Sequence, residues 1–569
     1  MSQEEVRSPR SNEPHKRGAK NGTSREADAV LERMAEEAAA PTKPSSSLAR
    51  ALRDVILVAA LLGGGTFFYY RHVTTREAVA KIAMEAADKM EKDDLASLKA
   101  AEAKYQEILA LDKDNGIGLA GLAETYFHQW RHGLDTKSQA EDFLKRAIKE
   151  GSDSPERYAT GYYLDIVGGR AEQVSNEILT MMKKDVYHPK LAHALGWALL
   201  EQGKFTEANR YVRAALDTDY NAVRFAYTLG EVALRQGGPN DEGDKAAIRN
   251  FSKILGNAMN AEHELTLTSL AALRMKNFGN IDKPAKWIQT VEEKKDAIGP
   301  AALAQLAWAS GEFALALGDP KLALEKVEEA LKARPDYPPF YDLKARALVA
   351  QGKLKDAYAA YDAALSKGPV YRGIKWDYAT LKSERGDDSA LAMIDELEKS
   401  DPATAVGPEY EIFRGNHHLG KDNVVEAKKA FTKAADLGDD AEILFGLAKV
   451  TFLEEKKRGN KANLDRVAEA FGTAAEARAT FPELQEYMAG VSLWNYQIDG
   501  AQGSFEEAEK QFKKLNRPVP SLLAFYDRVI GTYEKTDEKS IRAQAAKLVD
   551  DWKKRKADYL TSVTALLAQ

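Results

Sequence analysis

SGEFALALGDPKLALEKVEEALKARPDY (residues 310–337) and YDLKARALVAQGKLKDAYAAYDAALSKGP (residues 341–369) decide the fold. Gly318, Ala323, Ala330 and Pro335 of the first stretch return in the second as Gly352, Ala357, Ala364 and Pro369, each 34 positions later. The same step carries Gly196 and Gly203 of ALGWALLEQGKF onto Gly230 and Gly237 of TLGEVALRQG. Between these markers the apolar residues follow a helical period, and glycines rather than strand signals punctuate them. A fixed 34-residue step in a helical background predicts a stack of helix pairs, because one pair cannot bury its own apolar face.

Each marker has a physical task. Gly196, Gly230 and Gly311 let two antiparallel helices approach closely, and Ala208, Ala323, Ala357 and Ala427 keep the second helix near the first. Gly203, Gly237, Gly318 and Gly352 take positive φ where the first helix stops. Tyr361 and Phe431 fill the space between pairs, while Pro335 and Pro369 block continuation of the second helix.

The pattern resembles the tetratricopeptide repeat (TPR) family, with its small residue, glycine, alanine, aromatic and proline in fixed order over 34 residues. A third stretch, GNHHLGKDNVVEAKKAFTKAADLG (415–438), adds Gly415, Ala427, Phe431 and Ala434. About twelve units are expected over 74–518, poorest at 155–186, 262–296 and 484–518. The resemblance implies an all-α right-handed superhelical solenoid. Residues 519–569 are read as capping helices, with the amphipathic stretch 540–569 as the polar-faced end. Two insertions break the period, GGPNDEGD (237–244) and EEKKRGNKANLDR (454–466), and both are expected to protrude as solvated loops.

Ahead of the repeats, residues 1–47 have the composition of a disordered tail, with a possible short acidic helix at 27–40. Val55–Tyr70 (VILVAALLGGGTFFYY) is an uncharged run of sixteen residues flanked by Arg53, Asp54 and Arg71. It spans about 24 Å as a helix, against a hydrocarbon core of about 30 Å. With snorkelling arginines and an aromatic end, 50–72 is expected to be one transmembrane anchor. Alternatives are a buried helix or the core of a signal peptide, the latter at odds with its 54-residue leader. The expected setting is the bacterial inner membrane, single-pass, with a cytoplasmic N-terminus and a periplasmic repeat domain.

Composition narrows the function. With 81 basic and 87 acidic residues the net charge is −6, which provides no footprint for nucleic acid. The 569 residues include no cysteine, which removes disulfides, thiolate metal sites and cysteine nucleophiles. No phosphate-binding or nucleophile-elbow motif occurs, and no cofactor is expected. His128 and His132 stand one helical turn apart, a spacing compatible with a metal, but no third ligand is evident and both read as surface residues. No metal site and no catalytic residue is expected, so the chain does not read as an enzyme.

What the family resemblance implies instead is protein binding on a concave face formed by the first helix of each pair. The matching positions are His193 and Trp197, Tyr227 and Glu231, Trp308 and Glu312, Asp342 and Arg346, and Ile412 and Asn416. Family members that clamp a terminal carboxylate use lysine and asparagine at these places. Only Asn416 fits, so the groove is expected to take a peptide or helix on its aromatic residues. The expected function is a non-enzymatic scaffold for an envelope assembly serving motility, pilus, secretion or outer-membrane assembly. The alternative is a periplasmic chaperone or quality-control adaptor that binds client polypeptides.

Overall fold

The computed structural model describes residues 47–184, 187–257, 260–367, 371–400, 407–458, 463–536 and 539–565. The tail, its possible helix at 27–40 and Pro369 lie outside the described residues. The chain divides into two units, 1–77 and 78–569.

In the first unit the described residues belong to helix α1, Ser47–Lys92, which continues into the second. Val55 to Val58, Leu61, Leu62, Tyr69 and Tyr70 are exposed by 53% to 72%, so the apolar side chains point outward on every face. The expected transmembrane helix is not found: among the described residues, no helix is long and apolar enough to cross a membrane. The apolar run has only sixteen residues, and Gly63–Gly65 at its centre add no apolar side chain.

The second unit is a succession of helix pairs, with no strand among its described residues. The end of α1 (from Ala78) leads to α2 (Leu95–Leu111), then α3 (Gly116–Arg131) pairs with α4 (Lys137–Lys149). Next come α5 (Pro155–Val167) with α6 (Ala171–Met182), and α7 (Pro189–Glu201) with α8 (Phe205–Thr218). They are followed by α9 (Val223–Gln236) with α10 (Glu242–Leu255), and α11 (Glu264–Asn277) with α12 (Asp282–Glu292). Then α13 (Pro300–Ala316) pairs with α14 (Pro320–Ala333), and α15 (Pro338–Ala350) with α16 (Leu354–Ser366). The remainder is α17 (Arg372–Glu384) with α18 (Ser389–Ser400), α19 (Glu409–Gly420) with α20 (Val424–Leu437), and α21 (Ala441–Arg458) with α22 (Leu464–Ala477). Last are α23 (Pro482–Trp494) with α24 (Ile498–Lys514), and α25 (Val519–Glu534) with α26 (Arg542–Ala565).

The repeat markers behave as their chemistry requires. Ala208, Ala323, Ala357 and Ala427 have no exposed surface, because each lies where two helices of a pair touch. A Cβ on Gly311 would come within 2.7 Å of Leu343 Cδ2 in the next pair and 3.3 Å of the Ala323 carbonyl in α14, so the glycine lets both helices lie close. Gly318 and Gly352 end their helices at φ +79° and +75°. Tyr361 stacks on Tyr378 at 4.9 Å between ring centres, joining one pair to the next. Helix starts are fixed by side-chain caps: Asn115 accepts from Ile117 and Gly118, and Ser154 accepts from Arg157.

Contacts between distant repeats go beyond nearest-neighbour stacking. Arg224 of α9 binds Asp93, just after α1, through Nε at 3.0 Å and Nη2 at 2.7 Å. Ala301 at the start of α13 donates its amide to the carbonyl of His132 at 3.1 Å. Val519 and Val563 of the final pair share a cluster with Met275, Ile281 and Ala316, so that pair covers earlier helices as well as ending the array.

The 237–244 insertion differs from expectation. Gly237 and Gly238, at φ +60° and +142°, turn it back, and a short 3-10 turn at Pro239–Asp241 follows. A Cβ on Gly237 would lie 2.2 Å from the amide nitrogen of Gly373 in α17, so the insertion joins two repeats instead of protruding. In the other insertion, Glu455 is 1% exposed and binds Arg458, Asn463 and Arg466, while residues 459–462 lie outside the described residues.

Candidate functional site

Three first helices bring their inner faces to one cavity of about 490 Å³ in the second unit. Helix α3 contributes His128, Trp130 and Arg131; α7 contributes His193, Trp197 and Glu201; α9 contributes Arg224, Tyr227, Glu231 and Arg235. The opposite wall comes from later repeats, with Pro300 and Ala301 of α13, the turn Ala333–Pro338 and Tyr371.

The sequence-derived positions divide into three groups. His193, Trp197, Tyr227 and Glu231 line this cavity together. Trp308 and Asp342 line a separate cleft of about 30 Å³, room for no more than a water or two. Glu312 and Arg346 belong to the ion cluster beside that cleft, and Asn416 is exposed on α19, with its companion Ile412 buried. No single aromatic strip runs through His193, Trp197, Tyr227 and Trp308: Trp308 is 2% exposed and packs on Phe340 and Tyr337 at 6.0 and 6.2 Å.

Within the cavity most polar groups are already paired. His193 Nδ1 shares a 2.8 Å hydrogen bond with Tyr163 Oη, and its Nε2 a 2.9 Å bond with Thr228 Oγ1. Burial, reinforced by the charges of Arg224 and Arg131, holds the His193 imidazole down at about 3, so it is neutral at physiological pH. Glu201 accepts from Trp197 Nε1 and from Arg235, both at 2.9 Å. Glu231 accepts from Tyr337 Oη at 3.1 Å and Tyr371 Oη at 3.0 Å, across 106 and 140 residues of chain. Burial raises both phenols well above the usual range, and the Glu231 carboxylate beside them adds to the rise.

His128 and His132, read from sequence as surface residues, are 4% and 3% exposed. Helix α3 is enclosed on nearly all sides, and its run from Gly118 to Gln129 is buried throughout. Burial pushes both imidazoles down, His128 far below its ordinary range. Asp93 lies 4.0 Å from His132 Nε2, and among the described residues no group of three or more His, Cys, Asp or Glu could hold a metal.

A second concentration of charge lies between α11, α15 and α17. Lys276 reaches Asp244 at 3.2 Å, Asp342 at 3.5 Å and Asp377 at 3.2 Å. Arg346 takes Asp342 at 3.0 Å and grips Glu312 with both terminal nitrogens. Burial pushes the Asp377 carboxyl up to about 7, with Lys276 opposing the rise and Asp342 adding to it. With both cations and all four carboxylates in place, these groups act as ties between repeats.

Sequence reasoning missed Asp93 and the arginines 131, 224, 235 and 334. A signal was present: Glu156 and Lys190, Glu201 and Arg235, and Glu312 and Arg346 are each 34 positions apart and form ion pairs. Opposite charges at the repeat step meet face to face on consecutive pairs.

The TPR sequence signature matches residues 193–247 and again residues 314–375. No curated protein matches the chain in sequence. Among solved structures, the Cut9 chain of the APC/C Cut9–Hcn1 hetero-tetramer aligns at 10% identity over 88% of this chain and 99% of its own, with a TM-score of 0.40. Human IFIT1, solved as a dimer with m7Gppp-AAAA, aligns at 16% identity over 70% and 90%, with a TM-score of 0.38. Yeast Tom70 aligns at 14% identity over 78% and 96%, with a TM-score of 0.32. At such scores, no property of those proteins transfers to this one.

Proposed function

We propose that this chain, a tetratricopeptide repeat protein, is a non-enzymatic interaction scaffold that organises an assembly of the bacterial envelope. The observation that carries the reading is the repeat array itself, matched by signature in two separate places. Such arrays present long solvent-facing surfaces assembled from many helices, suited to holding several proteins at once.

Attachment to the inner membrane, with the repeats in the periplasm, is part of the proposal. It is supported by the sleeve of exposed apolar side chains around Val55–Leu62, for which water is a poor solvent. The sleeve is shorter than a full bilayer crossing, so snorkelling by Arg53 and Arg71 has to make up the difference. The inner-face residues His193, Trp197 and Trp308 are buried by this chain's own repeats. In this reading partners dock on exposed positions, and the exposure of Asn416 on α19 supports it as one of them.

The test is affinity purification of the full chain from membranes after cross-linking. A scaffold retains a few partners near one-to-one, whereas a client-binding chaperone retains many at low occupancy. Recovery of the chain entirely in the soluble fraction overturns the membrane part. A C-terminal reporter active only outside the cytoplasm checks the orientation, and an inactive one reverses it.

A further inference from the structure

The 490 Å³ cavity has one feature that internal packing does not account for. Four arginines line it, but only two have acid partners: Arg224 binds Asp93 and Arg235 binds Glu201. Among the described residues, Arg131 and Arg334 form no ion pair within 4.0 Å. Each instead lies over an aromatic face, Arg131 at 4.4 Å from the Trp197 ring centre and Arg334 at 4.4 Å from that of Tyr337. Rings orient a guanidinium and leave its N–H edge free to donate.

Among the described residues, no acid in the lining forms a salt bridge with the pair. Glu231 is taken by two tyrosine hydroxyls, and Asp336 sits exposed at the rim without a salt bridge to either arginine. Burial pushes Arg131 below its ordinary range and the charge of Arg334 adds to the fall, while Asp93 and Glu201 oppose it. Arg131 is nevertheless solvent-exposed and lines the cavity. Two further donors or acceptors in the lining are buried and unused, His128 Nε2 and His132 Nδ1. Two cations without a salt-bridge partner that line one cavity repel each other, and an anion between them would remove that repulsion.

The geometry points to this cavity as the binding site of a small oxyanion, a phosphate- or carboxylate-bearing molecule held between Arg131 and Arg334. The volume falls within the range of small-molecule sites, roughly 300–1,000 Å³. The aromatic rings that orient the arginines, Trp197 and Tyr337, line the same cavity. The inference does not depend on the scaffold reading, since it concerns an inner cavity rather than an outward surface.

The test is thermal unfolding and titration calorimetry of the full chain with sodium pyrophosphate and, separately, sodium citrate, each against sodium chloride of equal ionic strength. Arg131→Gln and Arg334→Gln are compared with wild type and with Arg213→Gln, an exposed arginine far from the cavity. One of the two anions should stabilise wild type and Arg213→Gln saturably, and the one that does identifies the ligand as phosphate or carboxylate. Both cavity variants should bind it roughly tenfold or more weakly. Without ligand, each cavity variant should melt at or above the wild-type temperature, because it relieves the repulsion. The site is overturned if neither anion stabilises wild type beyond chloride, or if both cavity variants keep wild-type affinity. It is also overturned if both variants melt early without ligand, since the arginines then serve packing.

Discussion

Gly237 and Gly373 meet across 136 positions of sequence so closely that a Cβ on the first would lie 2.2 Å from the amide nitrogen of the second. Gly237 also has φ +60°. Gly318, at φ +79°, has nothing within 4 Å of where its Cβ would be. Gly318→Ala therefore isolates the backbone cost, about 1 kcal/mol, and Gly237→Ala should cost clearly more. Equilibrium denaturation of both variants checks the difference, and equal losses would remove the steric contact.

Ala323 and Ala357 are equivalent positions one repeat apart, both without exposed surface. Leucine at either should force the helix pair apart and destabilise by about 1–3 kcal/mol. Wild-type melting of both variants would mean the repeat register is misassigned.

Arg346→Met leaves Glu312 and Asp342, 2% and 3% exposed, without their guanidinium. Removing one partner of a buried ion cluster costs about 3–5 kcal/mol. Glu312→Gln, which can still accept from Arg346, should cost less. Denaturation midpoints of the two variants test the ordering.

Asp377 titrates near 7 in the folded chain and near 3.9 when unfolded, so the folded state holds its proton more tightly. Its stabilising contribution is complete below about pH 4 and is lost as pH rises to about 7. Facing it are Lys276, Asp342, Asp241 and Asp244. Asp377→Asn should flatten the fall in stability between pH 5 and 7 relative to wild type. Parallel pH curves for the two proteins would show that the carboxyl is already ionised across that range.

Trp197 is 9% exposed and packs on Tyr163 and Phe127 at 5.6 and 6.2 Å. Trp197→Ala should lower thermal stability much as Tyr361→Ala does, by about 3–5 kcal/mol for the larger ring. Unchanged melting with loss of partners would return Trp197 to a partner-binding surface.

The helix pairs were legible because Gly318, Ala323 and their counterparts repeat on a fixed step, and local sequence alone sets a helix and its stop. The occupation of the inner face was not. His193 and Trp197 read as groove residues because their position within a repeat is a groove position. Whether a groove is open depends on contacts such as Asp93 with Arg224, which join residues 131 apart and obey no period. The insertion at Gly237 was visible, but its direction was not, since Gly373 supplies the surface against which it folds. Burial of His128 was equally hidden: its ring packs on Phe127 and on Tyr163 of the next pair, contacts that its helical spacing from His132 does not reveal.

An open array tolerates a changed number of units, because each unit touches only the ones beside it. Here the span from Asp93 to Ala301 is measured at both ends by bonds that skip several units, Asp93 with Arg224 and His132 with Ala301. Duplicating or deleting one 34-residue segment inside that span would move Arg224 or Ala301 by a whole helix pair, beyond the reach of its partner. A change in the number of units is thereby closed to this stretch. The stretch from α19 to α24 is bounded in the same way, because Gly279 donates its amide to the carbonyl of Asn516, just after α24, at 3.0 Å.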